Sequence, residues 1–252
     1  MLPLHPIVPP LTPKSIHLWW MHPQSLTLPL GIRVLAEDEQ KRCQTLRIQR
    51  DRQTFAYIRT VLRFFLARYT GLSPQEIQFH YGPKGKPALV AAQNPQAIQF
   101  NISHSHGRVL LGFAAQAPLG LDIEWFSPKV SSRSIAQRFF TPGEYKALEF
   151  LNPDQCQALF FQIWTRKEAC IKAKGGSLFE EIGQLEVPST LEPLGQWTQV
   201  WSTPRLFVRD LPVGPDYAAA VATTLPVPSY HLEEIKDPTV LMTSLGNGTN
   251  LL

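Results

Sequence analysis

Two acidic residues, Asp122 and Glu124, lie one residue apart in the segment Gly120–Glu124, where they alternate with Leu121 and Ile123. This alternation predicts a β-strand whose two carboxylates project from one face. Like charges this close raise each other's pKa unless a cation or a hydrogen-bond donor compensates. Magnesium, which prefers oxygen ligands, could compensate the pair, but a solvated outer strand face would have the same sequence.

A third carboxylate occurs in a segment with helical periodicity. Trp164, Glu168 and Lys172 follow one another at four-residue steps, so they form one stripe of a predicted helix. Such a stripe places an acid and an ammonium group side by side. It predicts either an ordinary exposed ion pair or, together with the strand acids, one catalytic cluster.

Two polar corners could contact a phosphorylated ligand. The segment Asn101–Gly107 ends a predicted strand with Ser103 and His104, whose side chains can donate hydrogen bonds to phosphate oxygens. Lys86 belongs to a turn rich in Gly, Pro and Lys. A surface histidine and a cationic turn are the plain alternatives.

The surrounding sequence predicts the elements that must position these groups. Residues from about 36 to 69 lack proline and glycine, and the apolar residues from Ile58 to Tyr69 recur at three- and four-residue spacing. This pattern predicts an amphipathic helix that ends at Gly71. Capping patterns at Thr141 and Asn152 predict two further helices, the second reaching about Lys174 before Gly175. Short β-prone runs lie at residues 15–20, 77–80, 98–102, 109–115, 120–124, 205–209 and 217–223. This order predicts an α+β fold.

Composition narrows the class of protein. The 252 residues are 44% hydrophobic, which is enough for a sizeable core, and no stretch has the length of a membrane span. The net charge of +4, without dense basic tracts, favours anionic partners but not nucleic acid. Three cysteines without a C-x-x-C pair, and a proline-rich start unlike a signal peptide, predict a cytoplasmic protein.

Taken together, five segments resemble motifs of the 4′-phosphopantetheinyl transferases, in particular the larger, single-chain, Sfp-like class. They are Gly85–Pro87, Phe100–Ser105, Gly120–Glu124, Arg138–Glu144 and Trp164–Lys172. The resemblance covers residues 36 to 176 and is weak outside them. It implies two similar α/β subdomains, 1–118 and 119–252, related by a pseudo-twofold axis, with coenzyme A between them. The sequence from about residue 237 separately predicts a loose tail.

The same resemblance implies roles for individual residues. Asp122, Glu124 and Glu168 would bind Mg²⁺, Glu168 would act as the base, and Lys172 would lie beside the pyrophosphate. The expected coenzyme A contacts are Arg42, Lys86, Ser103 and His104. Glu39 takes a position that is a lysine in some relatives, so the basic cluster around Arg42 departs from the family pattern there.

The implied reaction transfers the 4′-phosphopantetheine arm of coenzyme A to a serine of an apo acyl-, polyketide- or peptidyl-carrier protein, releasing 3′,5′-ADP. A monomer is expected. One alternative is a metal-dependent hydrolase that binds zinc or manganese through His104, His106, Asp122 and Glu124. Another is an inactive carrier-binding module, against which the intact set of acids and Lys172 argues.

Overall fold

A computed structural model describes residues 9–22, 34–83 and 85–236 of the chain. Within these ranges the helices are α1 (Glu37–Thr45), α2 (Gln49–Thr70), α3 (Ser132–Phe139), α4 (Pro142–Ala147), α5 (Pro153–Lys174) and α6 (Leu178–Glu181). The strands are β1 (Ser15–Met21), β2 (Phe79–Tyr81), β3 (Pro87–Leu89), β4 (Ile98–Ser105), β5 (Arg108–Ala115), β6 (Leu119–Trp125), β7 (Thr198–Val200), β8 (Leu206–Asp210), β9 (Tyr217–Thr223) and β10 (Ser229–Ile235). A short 3₁₀ helix spans Ala91–Gln93.

The strands form two four-stranded sheets and one hairpin. One sheet has the order β10-β1-β5-β4, and the other has the order β6-β9-β8-β7. The pairs β4–β5, β6–β9, β7–β8 and β8–β9 are antiparallel, as is the hairpin β2–β3. Helices and sheets together confirm the predicted α+β class.

The chain divides into two compact units. Of the described residues, the smaller contains 9–11, 21–22, 34–83, 85–97 and 234–236, and the larger contains 12–20 and 98–233. The family-based division into 1–118 and 119–252, and its pseudo-twofold axis, stay predictions.

In the smaller unit, the helix predicted from about 36 to 69 is wrong in one respect, because the structure breaks it into α1 and α2 at residues 46–48. The break lets α1 turn back on α2. There the buried carboxylate of Glu39 accepts hydrogen bonds from Arg59 and Arg63, the latter at 2.6 Å. A single straight helix could not bring residue 39 to residue 63, about 36 Å away at the helical rise.

The basic residues between positions 41 and 52 are exposed to solvent. Lys41, Arg42, Arg47, Arg50 and Arg52 are all exposed. The predicted helix end at Gly71 is confirmed, since this glycine caps α2 in the left-handed conformation with φ of 77°.

In the larger unit, the predicted capping patterns are confirmed. The side chains of Thr141 and Asn152 accept hydrogen bonds from backbone N–H groups in the first turns of α4 and α5. Gly175 ends α5 with a left-handed cap, as predicted. These caps fix both ends of α5 and hence the position of every side chain along it.

The two faces of β6 have different partners. Leu119, Leu121 and Ile123 belong to a core with residues of β1, β5 and β9. The other face carries Gly120, Asp122 and Glu124, which pair in register with Ala222, Ala220 and Ala218 of β9. These small alanines also belong to the core that contains α5, so they leave room above the carboxylates for the helix.

Several elements escaped the sequence analysis, among them α3, α6, β3, β7 and β10. The proline-rich loop through Pro29 and the tail from 237 lie outside the described residues. In the part of the chain that the structure covers, no helix combines the length and apolar character needed to cross a bilayer.

Candidate active site

Helix α5 approaches β6 closely at Gly120. A Cβ atom on this glycine would lie 1.9 Å from the backbone oxygen of Ala169 and 2.4 Å from the backbone nitrogen of Ala173. No side chain fits in that space, so helix and strand touch through their backbones. This contact places Glu168 and Lys172, which flank Ala169 and Ala173 in the sequence, beside the acids of β6.

The three predicted carboxylates converge. Asp122, Glu124 and Glu168 each offer an oxygen such that all three atoms lie within 4.8 Å of one another. Asp122 is buried, with 2% of its surface exposed, and the two glutamates are half-buried. The two acids of the strand and the acid of the helix therefore lie close together.

Lys172 is the counter-charge within this cluster. Its Nζ lies 2.6 Å from Oδ1 of Asp122 and 3.2 Å from Oε2 of Glu168. Burial lowers the pKa of Lys172, but attraction to these two carboxylates outweighs burial and raises it. One ammonium thus faces three carboxylates, and the cluster keeps a surplus of negative charge.

The pKa values of Glu124 and Glu168 reflect this surplus of negative charge. Burial and the neighbouring Asp122 raise the pKa of Glu124 to about 7, although Ser105 donates a hydrogen bond to it. Burial and Asp122 also raise the pKa of Glu168, and hydrogen bonds from Lys172 and Trp164 oppose the rise. Without an added cation, these carboxyls hold their protons more tightly than exposed ones do.

An unsatisfied atom indicates what would complete the site. Oδ1 of Asp122 accepts from Ser103 and Lys172, whereas Oδ2 is buried with no hydrogen-bond partner in the part of the chain that is described. Leaving a buried carboxylate oxygen without a donor is costly. A divalent cation bound by oxygen ligands would satisfy this atom and neutralise the surplus charge, so the three acids fit Mg²⁺.

The two histidines do not take part in this cluster. Across residues 9–22, 34–83 and 85–236, the acid cluster of Asp122, Glu124 and Glu168 includes neither His104 nor His106. His104 is exposed, and strand alternation directs it away from the face of Ser103 and Ser105. His106 stacks on the Trp125 ring at 3.8 Å between centroids. An all-oxygen cluster disfavours the histidine-ligated hydrolase.

The remaining predicted coenzyme A contacts lie in different places. The side chain of Ser103 donates to Asp122 at 2.8 Å and lies at the edge of the acid cluster. Arg42 is exposed in the last turn of α1, and Lys86 is half-buried just before β3, both in the smaller unit. Their roles stay predictions.

The sequence analysis missed buried residues that hold α5 in place. Arg166 makes a two-pronged ion pair with Asp210 at the end of β8, and Lys167 binds Glu144 of α4. Glu144 and Lys167 both occur in the family-like motifs, so part of the motif wording encodes scaffold. Ser105 was also missed as a site residue, although its two-residue spacing from Ser103 matches that of Glu124 from Asp122.

Comparison with known proteins agrees with this site. A model of the 4′-phosphopantetheinyl transferase superfamily matches residues 118–222, and a model of the 4′-phosphopantetheinyl transferase N-terminal region matches residues 19–116. The first match contains Asp122, Glu124 and Glu168, and the two matches meet next to Pro118.

Individual relatives extend the match along most of the chain. The 4′-phosphopantetheinyl transferase HetI of Nostoc is 34% identical over 197 residues, which are 76% of this chain and 82% of HetI. The Synechocystis protein slr0495 is 35% identical over 167 residues, 66% of this chain and 68% of that protein. The 4′-phosphopantetheinyl transferase psf-1 of Bacillus pumilus is 32% identical over 180 residues, 69% and 72% of the two chains. With relatives this similar over this much of their length, the chain belongs to the 4′-phosphopantetheinyl transferase superfamily.

Proposed function

We propose that this transferase moves the 4′-phosphopantetheine arm of coenzyme A to a serine of an apo acyl-, polyketide- or peptidyl-carrier protein and releases 3′,5′-ADP. The enzyme class and the general reaction agree with the superfamily match and with the relatives named above. The observation that carries the proposal is the convergence of three carboxylates around a buried, unpartnered oxygen of Asp122.

We assign Asp122, Glu124 and Glu168 as the residues that hold Mg²⁺. Bound there, the ion would supply positive charge to the pyrophosphate oxygens of coenzyme A. The three acids share one cluster and offer only oxygen ligands, which suits a hard cation.

Glu168 is the proposed general base. The carrier serine must lose its hydroxyl proton as its oxygen attacks the phosphorus that bears the pantetheine arm. Glu168 lies half-buried in the acid cluster, and a carboxylate held at that place can accept such a proton.

Lys172 is proposed to stabilise the leaving group. As the bond between that phosphorus and the bridging oxygen breaks, negative charge develops on the departing 3′,5′-ADP. Lys172 is only 30% exposed and lies in the same cluster, so its charge acts where water screens it little. Arg42, Lys86, Ser103 and His104 are proposed to bind coenzyme A.

Several finer assignments rest on the same reasoning. Two family models in succession within one chain support the larger, single-chain class. The net charge of +4 supports acidic carrier proteins as partners, and the three free cysteines support a reducing, cytoplasmic setting. A monomer remains the simplest expectation.

The test is transfer itself. The protein is incubated with coenzyme A, Mg²⁺ and a panel of apo-carrier proteins, and intact-protein mass spectrometry follows each carrier. We expect one phosphopantetheinyl addition on a serine, lost with EDTA and restored by Mg²⁺. Asp122→Asn should abolish the addition, whereas Asp154→Asn, an exposed residue in the first turn of α5, should not.

Two results would count against the proposal. If no carrier of any class gains mass, the substrate assignment is wrong. If EDTA-treated enzyme or Asp122→Asn transfers at the wild-type rate, the metal assignment is wrong even though transfer occurs.

A further inference from the structure

The strands β4 and β6 border the acid cluster, yet they belong to different sheets. Side chains of β4 reach across to the backbone of β6. Asn101 Oδ1 accepts from the N–H of Leu121 at 2.8 Å, Ser103 Oγ from Ile123 at 3.4 Å, and Ser105 Oγ from Trp125 at 3.1 Å. We call this row of contacts the seam, and its residue numbers rise together along both strands.

Each seam residue faces two consecutive positions of β6. One position of β6 donates its backbone N–H to the seam residue. The position before it lies on the face of β6 that packs against α5. The preceding positions are Gly120 for Asn101, Asp122 for Ser103 and Glu124 for Ser105. A serine therefore stands wherever β6 carries a carboxylate, and an asparagine stands where β6 carries glycine.

The hydroxyl chemistry explains this match. A serine oxygen can accept one hydrogen bond while its single proton is donated elsewhere. Ser103 donates to Oδ1 of Asp122 and Ser105 donates to Oε2 of Glu124, each at 2.8 Å. Because the N–H of β6 fixes the serine oxygen, the donated proton fixes the carboxylate.

Ser105 also has a limited choice of orientation. Its oxygen accepts a hydrogen bond from the N–H of Trp125, and its hydroxyl donates to Glu124, the residue that precedes Trp125. Glu124 has three side-chain torsions and would otherwise sample several rotamers at the half-buried edge of the cluster. The bond from Ser105 limits that freedom.

From this geometry we propose that Ser105 is a positioning residue of the metal site: it orients the carboxylate of Glu124 toward the ion. The inference rests on the proposed metal site. It assigns to Ser105 a role separate from joining the strands, and Ser103 has the corresponding role for Asp122. Hydrogen-bonding partners of metal ligands contribute roughly 10- to 100-fold to metal affinity in other proteins.

The experiment separates positioning from strand joining. Binding of Mn²⁺, which takes oxygen ligands as Mg²⁺ does, is followed by electron paramagnetic resonance on the full chain with coenzyme A present and on protein-free blanks. The variants are Ser105→Ala, Ser105→Thr and Asn101→Ala. Thermal unfolding is recorded on the same preparations.

Ser105→Ala should weaken Mn²⁺ binding about 10-fold, and Ser105→Thr, which keeps the hydroxyl, should restore it. Asn101→Ala removes the seam bond from the Leu121 backbone N–H, and Asn101 binds no carboxylate of the cluster in the contacts of the seam. This variant should lower the melting temperature about as much as Ser105→Ala does, but it should leave the Mn²⁺ Kd within roughly twofold of wild type.

Each contrary result has a distinct meaning. Wild-type Mn²⁺ affinity in Ser105→Ala, or a folded Ser105→Thr that binds as weakly as Ser105→Ala, overturns the positioning role and leaves the metal site intact. Equal loss of affinity in Asn101→Ala overturns it as well, because strand joining alone would then explain the effect. A wild-type protein that binds no Mn²⁺ overturns the proposed metal site together with this inference.

Discussion

Helix α5 carries two lysines that each bind a buried carboxylate from another element, and the two pairs differ in what else surrounds them. Lys167 binds Glu144 of α4, and Lys172 binds Asp122 of β6. Both oxygens of Glu144 have donors, namely the N–H of Val187 on one and Lys167 with the N–H of Thr141 on the other. Asp122 instead keeps one oxygen without a partner among the described residues.

The pKa directions of the two lysines reflect this difference. Burial lowers the pKa of Lys167, although Glu144 opposes the shift. For Lys172, attraction to Asp122 and Glu168 outweighs the effect of burial and raises the pKa. In the pair Lys167–Glu144, which we call the scaffold pair, the fold supplies a partner for each charge and for each carboxylate oxygen. The pair Lys172–Asp122, which we call the site pair, has excess negative charge around it and an oxygen of Asp122 without a partner among the described residues, and a bound cation can use both features.

The largest expected effect on stability comes from the scaffold pair. Lys167→Met removes the ammonium and leaves Glu144 buried without its counter-charge, which should lower the free energy of unfolding by about 3–5 kcal/mol. Urea denaturation measures the change. Lys146→Met, on the exposed side of α4, should stay within about 0.5 kcal/mol of wild type. A comparable loss in both variants would mean that Lys167 is not special.

Replacing Lys172 of the site pair should chiefly change the rate of catalysis. Lys172→Ala should lower kcat by roughly 10²- to 10³-fold while coenzyme A binding changes much less, because the charge acts chiefly in the transition state. The melting temperature should also fall, because Asp122 loses its counter-charge. Lys172→Arg should recover part of the rate. Steady-state kinetics and thermal unfolding on one preparation give both numbers. Full turnover in a slightly destabilised Lys172→Ala protein would make this lysine scaffold, like Lys167.

The contact at Gly120 tests whether α5 must lie this close to β6 for the site pair to form. Gly120→Ala places a methyl group into the backbone of α5 and should cost about 1–3 kcal/mol of stability, with lower kcat at limiting Mg²⁺. Gly183→Ala makes the same chemical change where the nearest atom is 3.8 Å away and should have little effect. Unchanged kinetics in a folded Gly120→Ala protein would show that the site tolerates a shift of the helix.

The buried His17 of β1 gives the smallest effect. Burial, with a contribution from His231, lowers the pKa of His17 in β1 to about 4 from the ordinary 6.5. The unfolded chain therefore binds a proton that the folded chain does not between pH 6.5 and pH 4. Stability is fully present above pH 6.5 and falls as the pH drops, by about 1.4 kcal/mol at pH 5.5.

Replacing His17 isolates this effect. The free energy of unfolding of wild type and His17→Gln is measured at pH 7.5 and pH 5.5, and the difference between the two proteins removes the contribution of other groups. Wild type should lose about 1.4 kcal/mol more than the variant over this interval. Parallel pH curves would mean that His17 is protonated in the folded protein.

Local signals predicted much of the fold. The caps at Thr141 and Asn152, the glycines after α2 and α5, and the alternation in β6 are each read from a few neighbouring residues. The break between α1 and α2 could not be predicted this way, because it depends on Glu39 reaching Arg59 and Arg63 far along the chain. Strand β10 was missed for the same reason, since its partner is β1 at the other end of the chain.

The acid cluster was predicted in part. Strand and helix spacing placed Asp122 with Glu124 and Glu168 with Lys172, but a meeting of the two pairs was one of two alternatives until the family resemblance favoured it. The backbone contact at Gly120 brings them together, and a glycine in a strand does not by itself indicate a helix packed above it. Ser105 lies beyond such reasoning because its role depends on the register between β4 and β6.

The backbone contact between Gly120 and α5 also determines when the electrostatic work of this site is done. Three carboxylates are forced together as the helix packs on the strand, so the repulsion among them is opposed by the packing energy of the whole core. Little further rearrangement is then needed when a cation and a substrate arrive. The site is preorganised, and its reorganisation energy is spent in folding, before the reaction begins.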